Sequence, residues 1–146
     1  MTAQDEATGP AGLSDFAGTW HVSRTIEDRA AGRDGRFVGT ARFDPDGPGL
    51  LYTEEGHLTF PGAQPLLATR RYLWRPDGPG RIAVLFADGR PFHDFGPDQP
   101  EARHWCDPDT YDVTYRFARW PEWESVWQVA GPRKSYVMTS HYTRVP

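Results

Sequence analysis

Glycine and proline interrupt this chain at short intervals, at 32–35, 44–49, 61–62, 76–80, 88–89, 96–97, 107–109 and 131–132. Each cluster supplies a preset or positive φ of the kind a tight reversal needs. Between the clusters lie short segments rich in aromatic and β-branched residues, too short for a helical domain and spaced as in an antiparallel sandwich or barrel. Period two is legible inside them. Phe37, Gly39, Ala41 and Phe43 alternate with Val38, Thr40 and Arg42; Ile82, Val84 and Phe86 share a face; Tyr111, Val113, Tyr115 and Phe117 alternate with Asp112, Thr114 and Arg116. A slip of one residue would turn each apolar set to water, so the alternation also sets register.

The expected fold is therefore all-β, a single antiparallel barrel of about nine or ten strands, with Trp20–Ile26 first and Tyr136–Arg144 last. At 146 residues the chain fits one domain without metal or disulfide staples. Residues 1–12 are small, polar, glycine or proline and read as a frayed leader to a domain over 13–146. Ser14 and Asp15 are good helix caps, so a short helix is expected around Leu13–Phe16. Trp120, Trp123 and Trp127 have helical spacing, but Trp123, Ser125, Trp127 and Val129 also share a strand face, and β composition favours a strand with no more than a turn near Trp120.

Twenty acidic residues against sixteen basic ones give a net charge of −4, which argues against a nucleic-acid partner held through its phosphates. Fifteen of the cations are arginine, suited to carboxylates and aromatic faces. Cys106 stands alone and excludes an intrachain disulfide; with no basic, apolar leader and no membrane-length segment, a cytoplasmic location and no membrane partner are expected.

Gly18-Thr19-Trp20 on the first strand and Arg144 on the last resemble the closure signature of lipocalin-type barrels, in which a guanidinium stacks over the indole. Together with Asp88-Gly89-Arg90-Pro91-Phe92-His93, His104-Trp105-Cys106-x-x-Asp109-x-Tyr111 and Gly131-Pro132-Arg133-Lys134-Ser135-Tyr136, they make the chain similar to an uncharacterised bacterial family of small lipocalin-like (calycin) domains. The similarity covers nearly everything from Phe16 onward. It implies a barrel and no particular reaction. The wider group implies apolar or amphiphilic ligands, or haem in the nitrobindin branch, whose ligand is a histidine near the C-terminus. Parity turns His141 outward if Tyr142 and Arg144 point in, so no cofactor is expected.

If Trp20 faces inward, so do Val22, Arg24 and Ile26, and the same argument offers Arg70, Tyr72 and Trp74. A guanidinium inside a barrel needs a protein carboxylate or an anionic ligand, and Glu54, on one face with Tyr52, is the internal candidate. A small-molecule site follows: Arg24, Arg70 and Tyr72 orient an anionic or polar end, and Trp74, Phe86 and Trp127 supply apolar contact. Tyr142 and His93 line the wall. Arg133, with Lys134 at a hairpin tip, offers a second anion contact. The alternative is a cavity enzyme of isomerase, cyclase or hydratase type, with His104 as general acid or base and Asp109 and Tyr111 orienting it. A third reading is a filled barrel that binds proteins through its surface. His93, His104 and Cys106 lack the fourth ligand and the clustered pairs of a zinc site, so no metal is expected.

Overall fold

The computed structural model describes residues 9–146. Of the expected leader, residues 1–8 lie outside the described residues; from there the N–H of Ala11 donates to the Asp15 carboxylate at 2.7 Å. Among the described residues a single 3₁₀ turn, Leu13–Phe16, precedes ten strands. These are β1 (Gly18–Asp28), β2 (Arg33–Asp46), β3 (Gly49–Thr59), β4 (Leu66–Pro76) and β5 (Ile82–Phe86), followed by β6 (Pro91–Phe95), β7 (Glu101–Cys106), β8 (Asp109–Arg116), β9 (Trp123–Ala130) and β10 (Ser135–Arg144). The segment before β9 forms only a turn at Trp120, as the strand reading requires. Among the described residues no helix is long and apolar enough to cross a membrane.

All ten strands form one antiparallel sheet in the order β6-β5-β4-β3-β2-β1-β10-β9-β8-β7. The sheet curls until β6 meets β7, but these two edges do not join in a ladder, so the barrel is nearly closed and keeps one seam. Tight turns join neighbours; Gly47, with φ 59°, supplies the left-handed residue between β2 and β3. Curvature comes from a second glycine device. Gly39 on β2 and Gly56 on β3 are register partners, and a Cβ on either would collide with the backbone of the other strand. Two bare backbones at one rung let the sheet bend sharply there.

Alternation sends Trp20, Val22 and Arg24 of β1, Tyr52 and Glu54 of β3, and Trp123 and Ser125 of β9 inward. One end is sealed by aromatic packing. Phe16 lies with its ring centroid 5.1–5.7 Å from those of Phe43, Trp74, Trp120 and Trp123. The Trp20 indole N–H donates to the Phe16 carbonyl at 2.9 Å. Arg144 stacks over Trp20, 4.1 Å from the ring centroid, and donates to the carbonyls of Ala17 and Asp15 at 2.8 and 2.7 Å. The guanidinium therefore ties the last strand to the plug and to the first strand at once. At the opposite end the inward side chains are only half-buried: Ile26, Arg70, Phe86, Tyr111, Trp127 and Tyr136 form an open mouth.

Candidate functional site

Midway down the barrel, Arg24 and Glu54 form a two-pronged ion pair, with Nη1 to Oε2 at 2.8 Å and Nη2 to Oε1 at 2.7 Å. The pair lies two strands apart across the bend at Gly39 and Gly56, and both side chains are almost fully buried, 6% and 2% exposed. Further hydrogen bonds hold the pair in place. Arg24 Nε donates to Ser140 Oγ at 2.6 Å, Tyr52 donates its hydroxyl to Glu54, and Tyr142 completes the chain by donating to Tyr52 at 2.9 Å. Burial works against both charges, yet the mutual hydrogen bonds and charges prevail: Arg24 is held above its ordinary range and Glu54 below its own. Burial raises Tyr52 and Tyr142 further, keeping both phenols protonated as donors. The internal pairing that parity offers for Arg24 and Glu54 is the one formed.

Arg70 differs. It reaches the same carboxylate only at 4.0 Å, its other near acceptor is the Met138 sulfur at 3.8 Å, and its side chain is 34% exposed toward the mouth. It lies over Trp127, 5.4 Å from the ring centroid. The interior thus holds two guanidinium groups against one carboxylate, a surplus of one positive charge, because His93 is neutral. Burial above all pushes His93 down to about 3. Its Nε2 bonds the Tyr115 hydroxyl at 2.8 Å.

These groups surround a cavity of about 30 Å³, room for about two waters. Arg24, Glu54, Arg70, Tyr72, Trp74, His93, Trp127 and Tyr142 all line it. His93 Nδ1 and the Trp123 indole nitrogen, also on its wall, are buried without a hydrogen-bond partner among the described residues. Unmet polar atoms beside a small void mark a place for a water or a ligand's polar atom.

The interior is fuller than a container requires, and one side chain accounts for much of this. Phe92 of β6 occupies a box of rings: Phe86 and Tyr72 lie against its faces at 4.7 and 5.9 Å, and Trp127, His104 and Tyr111 meet it edge-on at 5.3, 5.2 and 5.7 Å. Phe86 therefore packs on Phe92 and not on the cavity.

Other expected contacts separate. Asp109 does not orient His104: its carboxylate takes Lys134 at 3.1 Å, locking the β9–β10 hairpin to the start of β8. Arg133 is exposed on that hairpin, outside the barrel, and does not reach the interior site. Cys106 is exposed at the end of β7, and among the described residues no cluster of His, Cys, Asp or Glu suits a metal ion. His141 bonds Glu122 at 3.2 Å on the outer face, as parity requires. The sequence pattern alone does not single out Ser140 or the bridging role of Tyr52, although each stands two residues from an inward partner, Tyr142 and Glu54.

Fold and interior together define a nearly closed, ten-stranded antiparallel barrel whose core is both aromatic and charged. The chain belongs to DUF6314, a family of unknown function, which it matches over residues 16–144. Among solved structures it is similar to the S-type phycobiliprotein lyase CPES from Guillardia theta, with a TM-score of 0.63, 7% identity, and coverage of 92% of this chain and 90% of that one. A de novo designed fluorescence-activating β-barrel has a TM-score of 0.47 and 14% identity over 93% of this chain and 99% of its own. At 7% identity the likeness to the lyase is one of fold alone. No curated protein matches the chain.

Proposed function

We propose that this chain is a lipocalin-like binder of a small amphiphilic molecule with one negative charge, held at the open end of the barrel with its charged group on Arg70. The observation that carries this reading is the charge balance inside: Glu54 is consumed by Arg24 at 2.7 Å, and Arg70 is left 4.0 Å away. A half-desolvated guanidinium with no close carboxylate favours an incoming anion, and the pair would bring the interior to neutrality. Tyr72 and Trp127, both half-buried beside Arg70, supply a surface for the apolar part. The free, exposed Cys106 supports a reducing, cytoplasmic setting.

Calorimetric titration with octanoate and benzoate, each against its neutral alcohol, tests the reading. The acids should bind at least about tenfold more tightly, about 1.4 kcal/mol, and Arg70→Met should abolish the difference. Native mass spectrometry of freshly purified protein should find a retained anion of low mass. Equal affinity for acids and alcohols would overturn the assignment.

A further inference from the structure

We propose that the ligand is an aromatic carboxylate whose ring takes the place of Phe92. This rests on the anionic-ligand reading above and adds a shape to the charge. An apolar cavity that accepts benzene measures about 150 Å³. The cavity beneath Arg70 measures about 30 Å³, so a ring can enter only if a side chain leaves. Phe92 is the side chain whose surroundings already fit a ring: stacked partners on its faces, Phe86 and Tyr72, and edge-on partners around it, Trp127, His104 and Tyr111. These offset and perpendicular arrangements are the ones aromatic rings prefer, and they would serve a ligand ring equally well. Trp127, which packs on Phe92, also carries Arg70 over its ring, and Phe92 and Arg70 line one cavity, so an acid group on the entering ring would be directed toward the uncompensated guanidinium.

The strand that bears Phe92 is the one least held. β6 pairs with β5 alone, its register shifts at Val84/Leu85, it begins with a proline that donates no N–H, and its other edge faces the seam. Outside that seam runs a groove of about 380 Å³ whose lining mixes Ala83, Leu85, Pro91 and Ala102 with Asp94, Glu101 and Arg103 and includes Phe92 itself. A displaced Phe92 ring can lie there. Ring for ring, the apolar area buried inside is unchanged by the exchange, so the acid group on Arg70 sets the direction.

Benzoate, octanoate and benzyl alcohol, titrated into the full chain and into Phe92→Ala, test this, with amide exchange of β6 read alongside. The wild-type protein should prefer benzoate to octanoate by at least about tenfold, and benzoate should speed exchange at Phe92–Phe95 while leaving β1 and β2 unchanged. Phe92→Ala, with the slot already vacant, should bind benzoate at least about tenfold more tightly than wild type. If that variant does not fold, Phe92→Leu should tighten binding by a smaller factor, and the wild-type exchange decides independently. Octanoate bound as tightly as benzoate, or β6 exchange unmoved by benzoate, would sink the proposal. Both acids equal to each other and superior to benzyl alcohol would remove the aromatic assignment and leave the anionic one. Benzyl alcohol equal to benzoate would remove both.

Discussion

Arg24 and Glu54 meet through two parallel hydrogen bonds inside the barrel, and every remaining polar contact of the pair is to Ser140, Tyr52 or the more distant Arg70. Removing one partner leaves the other buried with an uncompensated charge. Glu54→Gln is expected to lower unfolding stability by about 3–5 kcal/mol in urea titrations. The double replacement Arg24→Leu/Glu54→Leu should recover most of that loss, since two apolar side chains remove both desolvation costs. A double variant as unstable as the single one would show that the pair is needed for packing and not for charge balance.

Acid should destabilise the fold well before its carboxylates titrate. His93 is held to about 3 in the folded barrel against an ordinary 6.5, so between those values the unfolded chain takes up a proton that the folded chain refuses. Stability is therefore full above pH 6.5 and falls as pH drops toward 3, by about 1.4 kcal/mol per pH unit from this group. Glu54, with its lowered value, adds a second loss below about 4.5. Urea midpoints measured across this range should show the slope above about pH 5 flatten in His93→Gln.

Arg144→Met should cost about 1–3 kcal/mol, because the stacked face over Trp20 and two charge-assisted bonds to the plug carbonyls go together. Arg144→Lys keeps the charge but not the fork, and should restore less than half of the loss. Thermal unfolding followed by tryptophan fluorescence would read both, since Trp20 lies beneath the substituted group.

Gly56→Ala should destabilise by at least about 2 kcal/mol although it adds one methyl group, since that group would point into the backbone of β2 and the Phe37 ring. Gly62→Ala makes the control: no heavy atom lies near the added Cβ, and its cost comes only from its φ of 80°. The two denaturation midpoints should differ clearly.

Period two makes the wall of the site legible wherever a strand runs straight. Arg24 follows from Trp20, and Arg70, Tyr72 and Trp74 follow from one another, because they lie at even spacing on unbroken ladders. The same rule fails on β6. Its register shift against β5 lets the adjacent Phe92 and His93 both turn inward, so parity cannot identify Phe92 as the side chain that fills the mouth. Asp109 misleads for another reason. Its preference for Lys134 over His104 depends on how the β9–β10 hairpin meets the first residues of β8, a relation between distant segments that no local pattern encodes. The size of the cavity is hidden likewise, since it is what remains after the rings have packed.

The position of the seam recasts the topology. Because β1 pairs with β10, from Trp20 opposite Arg144 to Asp28 opposite Tyr136, the strand order is a simple meander that starts at β7 and ends at β6. Only the β1–β10 ladder joins segments distant along the chain, and its formation must await closure of nearly the whole loop between them. A circular permutant that opens the chain in the β6–β7 connection and links the end of β10 to the segment ahead of the Leu13–Phe16 plug, keeping that plug, would make every ladder one between consecutive strands. Such a chain should fold faster than the natural one at similar stability, with the slow step of the original being the meeting of its first and last strands.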